Sequence, residues 1–202
     1  MIIALTGGIG SGKSTVAGML RKKGYRVVSS DAVAAELLEK GQVNHEAVFL
    51  AFGEGILDEG GNIDKDKLRG IVFKDPKERR KLNDITHKNI MAVCFDRVSQ
   101  DALAFIEVPL LFEERLESYF DETWLLDCSR ETQKKRVLER GSLEESEVDR
   151  ILDAQLSREV KLKRAKVVLD GEASLMDLES AVDALLVPLE QQIGSIDEDR
   201  GR

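Results

Sequence analysis

Cysteine is scarce in this chain. Of 202 residues only Cys94 and Cys128 are cysteines, and both lie in apolar stretches. Neither a disulfide framework nor a metal-ligand spacing can be drawn from two such residues, so a reducing compartment is expected. Long apolar runs are lacking too. No segment has the length to cross a bilayer, and the chain opens directly on a strand-like apolar run without a signal-peptide pattern. A cytoplasmic protein with no membrane partner is expected. Positive charge is in deficit: 38 acidic residues outnumber 30 basic ones, a net charge of −8. General nucleic-acid and membrane-surface binders draw their affinity from basic patches, so this balance speaks against both. No internal repeat is visible, and nothing in the sequence fixes an oligomeric state.

What remains is the composition of an ordinary soluble globular protein, 42% hydrophobic and 34% charged, long enough for one domain or one domain with an insertion. Its most informative segment is Gly7-Gly8-Ile9-Gly10-Ser11-Gly12-Lys13-Ser14. This fits the pattern G-x-x-x-x-G-K-[ST] of a P-loop. Ile2, Ile3, Ala4 and Leu5 before it read as a buried parallel strand. Val16, Met19 and Leu20 after it recur at helical spacing. Glycines let backbone N–H groups converge on an anion, the helix N-terminus adds partial positive charge, and Lys13 adds a full one. The expected nucleotide contacts are Gly8, Ile9, Gly10, Ser11, Gly12, Lys13, Ser14 and Thr15, with the Ser14 hydroxyl placed to hold Mg²⁺.

Val27 and Val28 predict a second strand, and Asp31 opens a helix to about Lys40, ended by Gly41. No strand is predicted from Val43 to Val98. Helical patterns around Val48, from Asp64 and from Asp75-Pro76-Lys77-Glu78 instead mark residues 42–98 as a helical insertion. Strand character returns at 103–108, 123–127 and 167–169. Between and after these come helices at Thr132 to Leu138, at Glu144 to Lys163, and along Leu175, Leu178, Val182, Leu185 and Leu189. The expected fold is α/β, with a five-stranded, mainly parallel sheet flanked by helices. Its nucleotide-binding core spans 1–41 and 99–193 with a lid at about 138–149, and 194–202 form a flexible tail. Basic residues crowd the stretch from Arg130 to Lys166. By charge pattern alone they read as a solvated helix face, and equally they supply what a phosphate-covering lid needs.

A GTPase would need an N-K-x-D motif, which is absent; Asp58-Glu59-Gly60-Gly61 fits D-x-x-G, a pattern met often by chance. A small kinase explains the helical insertion and the basic stretch together. The chain resembles the dephospho-CoA kinase family from Ile3 to about Leu189. The resemblance rests on Leu5 to Thr15, Ser30-Asp31, Phe52-Gly53, Ile56-Leu57, Ile85-Thr86-His87, Val108-Pro109-Leu110-Leu111-Phe112-Glu113, Gln133, Arg136, Arg140, Arg150-Ile151 and Gln155. It implies a P-loop NTPase fold and transfer of the γ-phosphate of ATP, with Mg²⁺, to the ribose 3′-hydroxyl of dephospho-CoA, the last step of coenzyme A synthesis. It further implies Asp31 as the base, Lys13 on the β- and γ-phosphates, Arg140 as the lid arginine assisted by Arg136, and His87, Leu110 and Glu113 beside the acceptor. By position alone Asp31 reads as a helix N-cap. His87 reads as a structural mid-helix residue and Glu113 as a cap after a strand.

Five positions depart from the family pattern. Ser29 replaces the first Asp of Asp-Ala-Asp, and Ala34-Ala35-Glu36 lacks a usual arginine. Gly141 follows Arg140 in place of Asp, Lys166 follows Ala165 in place of Asp, and Gly171 stands for Asn. A nucleoside or nucleotide kinase of similar fold, or an ATP-binding regulator without transferase activity, are the alternative readings. Lys13→Ala is expected to weaken nucleotide binding and turnover together; unchanged kinetics in that variant would remove the P-loop assignment.

Overall fold

The computed structural model describes residues 1–72, 74–141 and 143–200, with side chains to residue 195. The chain divides into two compact units, Met1–Val27 with Gln100–Arg202, and Val28–Ser99.

The first unit is built on the strands β1 (Ile2–Gly7), β3 (Ala104–Glu107), β4 (Glu122–Asp127) and β5 (Val167–Asp170). With β2 (Arg26–Ser29) they make a five-stranded sheet in the order β2-β3-β1-β4-β5. The pairings β1–β3, β1–β4 and β4–β5 are parallel. A central parallel strand is covered on both faces, so it is largely apolar; Ile3, Ala4 and Leu5 are fully buried. β1 leads away toward β2 and β3 leads away toward β4, so the topology switches direction between these two neighbours. Their carboxyl ends flank the crevice where ligands bind in open α/β sheets. The P-loop leaves one of them and Val108–Glu113 the other.

Helices α1 (Lys13–Lys22) and α9 (Leu175–Arg200) pack together on one side of this unit. The core there holds Val16, Leu20, Phe105, Trp124, Leu178, Val182, Leu186 and Leu189. Phe105 is its centre, edge-on to Tyr25 at 5.7 Å and tilted against Trp124 at 5.3 Å. On α9 it is Leu186 that is buried, while Leu175, expected on the apolar face, is 67% exposed. The helix continues past Pro188 and Gly194 to Arg200; Gly201 and Arg202 of the expected tail lie outside the described residues.

One expected element is corrected. A single helix over 144–163 is predicted from periodicity, but the structure has α7 (Glu145–Ala154) and α8 (Arg158–Arg164). Gln155 is extended, at φ −85° and ψ 157°. Ser157 then caps α8 by accepting the Val160 N–H. Side-chain oxygens of serine offer a helix a new start at such a point. Ahead of them α6 (Arg130–Glu139) lies against α7. Ser142, within the expected lid, lies outside the described residues.

The second unit holds α2 (Ser30–Leu37), α3 (Val43–Phe52), α4 (Lys65–Val72) and α5 (Pro76–Arg97). All three shorter helices pack on α5. So α2, expected with the nucleotide core, groups with the helical unit. Asp75 caps α5 by accepting the Lys77 N–H, with Pro76 in the first turn, as the sequence predicts. Glu78, in the first turn, pairs with Lys81 at 3.6 Å. The apolar centre is Val48, Ile56, Ile63, Leu68 and Val72. Asp58 to Asn62 is a tight turn in which one Asp58 oxygen accepts the Gly60 and Asn62 N–H groups. The D-x-x-G match is thus a structural turn.

Both cysteines are buried free thiols. Burial pushes Cys94 up to about 11 and raises Cys128 as well. Because Phe105 bridges two aromatic partners in the core, Phe105→Ala should cost about 3–5 kcal/mol of unfolding free energy. Urea denaturation measures this; a loss below about 1 kcal/mol would show that the core collapses into the space.

Candidate active site

The P-loop turns from β1 into α1 at Gly12, whose φ of +103° lies in the left-handed region that glycine enters at little cost. No acidic residue stands in the first turn of α1, so the helix's own sequence does not offset its positive end. Ser14 and Thr15 are exposed there. The Lys13 ammonium donates to the carbonyl oxygens of Gly7 at 2.6 Å and Gly8 at 3.0 Å. These bonds hold the charge over the loop that the sequence assigns to phosphate. Ser11 is fully buried, and its hydroxyl has no hydrogen-bond partner among the described residues.

Other segments of the same unit press on this loop. From α6, Arg136 donates to the Gly10 carbonyl at 3.5 Å. A Cβ on Gly8 would collide with the amide nitrogen of Gln133 and lie 3.1 Å from Oε1 of Gln155. From the loop after β5, a Cβ on Gly171 would stand 2.6 Å from the Ser11 carbonyl oxygen and 2.9 Å from that of Asp127. The Gly171 N–H donates to the Asp127 carbonyl at 2.7 Å. The departure from Asn at 171 therefore matches a position with no space for a side chain.

A cavity of about 440 Å³ opens beside Gly8, lined among others by Gln133, Gln155, Lys161 and Cys128. Much of the basic stretch is engaged in ion pairs with neighbouring carboxylates. Lys134 pairs with Asp149 and Glu145, and Arg130 with Asp153, which clasps α6 to α7. Arg158 pairs with Asp127, and Arg164 with Glu117. Arg140 is different: it is the exposed C-cap of α6 and makes no ion pair among the described residues.

Glu113 points to the α7–α8 junction, where its Oε1 accepts the Leu156 N–H at 3.0 Å and the Lys161 ammonium at 3.0 Å. Leu110, in the same segment, is 43% exposed. In the helical unit Asp31 lies in the first turn of α2, and His87 is half-buried on α5. Asp31 is not the N-cap that its position predicts. Ser29 is, accepting the Ala32 N–H at 3.3 Å. The residue that replaces the family's first Asp has taken over the cap.

Two contributors were not singled out from the sequence. Lys161 is buried, yet nothing local distinguishes it from Lys163 or Lys166. Glu172 accepts the Ser129 hydroxyl at 2.7 Å and the Ser129 N–H at 3.0 Å, tying the loop after β5 to the start of α6. The bond from the Ser129 hydroxyl, then that from its backbone, pulls the Glu172 carboxyl from 4.5 down to about 2. A depressed carboxyl contributes stability that is present above its unfolded value and lost as pH falls through the folded one. The advantage of the parent over Glu172→Gln in thermal midpoint should therefore shrink between about pH 6 and about pH 3. An equal gap at both pH values would show the carboxylate to be uncoupled from folding.

Comparison with known proteins agrees with this geometry. The family model described as dephospho-CoA kinase matches residues 1–177. The dephospho-CoA kinase of Fusobacterium nucleatum is 37% identical over 185 residues, covering 91% of this chain and 95% of that protein. The dephospho-CoA kinase of Methylococcus capsulatus is 40% identical over 187 residues, covering 92% and 94%. Among solved structures, TT1252 from Thermus thermophilus superposes with a TM-score of 0.83 at 38% identity, covering 94% of this chain and 97% of that one. With a P-loop on the central strand of a parallel sheet and a match across most of its length, the chain belongs to the dephospho-CoA kinase family.

Proposed function

We propose that the chain transfers the γ-phosphate of ATP to the ribose 3′-hydroxyl of dephospho-CoA, with Asp31 as the base. The hydroxyl oxygen attacks the γ-phosphorus, its proton passes to the Asp31 carboxylate, and the bond to the β-phosphate oxygen breaks to release ADP. Such transfers are catalysed mainly by positioning and charge neutralisation. Lys13, already held over the loop, neutralises the β- and γ-phosphates. Gly8 to Thr15 supply the cradle. Arg140 stabilises charge on the transferred group from the lid at about 138–149, and Arg136 fixes that lid element to Gly10. Ser14, exposed in the first turn of α1, would hold Mg²⁺, which would supply further positive charge to offset the phosphates. Residues 42–98 receive the acceptor, with His87 and Leu110 toward it and Glu113 supporting the wall. A cytoplasmic location is part of the same reading, in keeping with two buried free thiols.

One observation carries the role of Asp31. A helix start needs a cap, and Ser29 supplies it, so an acidic residue at the second position of α2 is not accounted for by capping. Purified protein, Mg²⁺ and ATP incubated in parallel with dephospho-CoA, AMP, adenosine or no acceptor test the reaction. ADP release is expected with dephospho-CoA alone. Turnover only with AMP or adenosine overturns the acceptor, and ATP binding without turnover overturns the enzyme. Asp31→Asn should lower turnover by about two to four decades with ATP affinity little changed, the range of general-base loss. Survival of turnover would leave Asp31 without a chemical role.

A further inference from the structure

Among the described residues Lys161 is the only buried lysine or arginine, at 7% exposure. An ammonium leaves water only against good partners, since its desolvation is costly. Its partners are Oε1 of Glu113 at 3.0 Å and Oε1 of Gln155 at 3.2 Å. The same Glu113 oxygen accepts the Leu156 N–H, and its other oxygen is buried with no partner among the described residues. The pair therefore holds the short extended break between α7 and α8, Glu113 through the Leu156 N–H and Lys161 through the Gln155 side chain.

The break matters because of what Gln155 faces. Its Oε1 would lie 3.1 Å from a Cβ on Gly8, a position also crowded by the amide of Gln133. Both glutamines line the cavity beside the P-loop. A carboxamide has one accepting and one donating end, and which end faces a ligand depends on what holds the other. With Lys161 on its oxygen, Gln155 keeps two N–H donors on the opposite edge.

We propose that Lys161, anchored by Glu113, is a positioning residue for the kinase reaction: it pins the Gln155 carboxamide over Gly8 so that its N–H donors, with those of Gln133, meet phosphoryl oxygens of the bound nucleotide. In the cavity lining Arg130, Arg158 and Lys161 stand with Asp127, Asp153 and Glu159, three formal charges of each sign. Orientation of neutral donors, rather than net charge, is what this wall contributes. Gln155 and Gln133 touch the nucleotide; Lys161 and Glu113 act through Gln155. The proposal rests on the kinase reading above.

The decisive variant is Gln155→Glu in the full chain. A glutamate still accepts from Lys161, so a purely structural role predicts parent-like behaviour, whereas the donors are lost. Hydrogen bonds to charged groups are worth about tenfold or more. The expected result is an unchanged thermal midpoint, with ATP affinity by calorimetry and kcat/KM for ATP each lowered about tenfold or more, and KM for dephospho-CoA unchanged. Lys161→Met alone leaves a buried carboxylate uncompensated and is prone to unfold. Glu113→Gln combined with Lys161→Met removes both charges, recovers the fold, and should show the same loss toward ATP. Adding Gln155→Ala to that double variant should cost nothing more, because the three act as one unit. Parent-like ATP affinity in Gln155→Glu, or in the folded double variant, overturns the proposal. So does an independent, multiplicative loss on adding Gln155→Ala. A parent protein that binds ATP yet releases no ADP with dephospho-CoA would instead overturn the kinase reading, and the calorimetric arm still decides the role of Lys161.

Discussion

A loop that turns its backbone N–H groups toward a polyanion has almost no side chains with which to hold its own shape. That constraint organises the nucleotide-binding unit. The loop is shaped from outside, by atoms packed where side chains would otherwise stand: Gln133 and Gln155 against Gly8, Arg136 on the Gly10 carbonyl, and the β5–α9 loop against Ser11. Lys13 closes the arrangement from within by bonding two carbonyls of the loop it serves. Most glycines here are thus explained by what approaches them as much as by backbone freedom.

The same economy appears in the charges. A run of basic residues looks like a single electrostatic device, yet the structure divides it. Arg130 and Lys134 clasp α6 to α7, and Arg158 and Arg164 fasten α8 to Asp127 and Glu117. Exposed pairs of this kind contribute little stability individually, but they set how helices lie against one another. Arg136 and Arg140 stand apart, one on the loop and one at the exposed end of α6. They are the two arginines of this helix that the family resemblance singles out.

Legibility in the sequence followed the range of the interactions. The strand, P-loop and α1 were readable because a contiguous motif specifies them, and so was the start of α5, where Asp75 and Pro76 act within one turn. The single helix expected over 144–163 failed at Gln155 to Ser157. That break is held by Glu113, 43 residues from Leu156, and no window of local periodicity contains it. Lys161 escaped notice for the same reason, since its burial is a property of the fold. Ser29 was legible only as a lost acidic residue, and its gain, the cap on α2, needed backbone geometry to be seen. The inward face of α9 was legible at Leu178, Val182 and Leu189; Leu185 packs at its edge, Leu186 joins it, and only Leu175 is exposed.

The two buried thiols have a consequence for the company the enzyme keeps. Dephospho-CoA and its product each carry a thiol of their own, and oxidised forms of such molecules exchange with any protein thiolate they can reach. Exchange needs the thiolate and access to it. Cys94 has neither, with its thiol driven up to about 11 by burial, and Cys128 is raised by the same cause although it lines the cavity near Gly8. In an enzyme that handles thiols, burial raises both of the protein's own. The packing that buries these thiols works against mixed disulfides with its ligands.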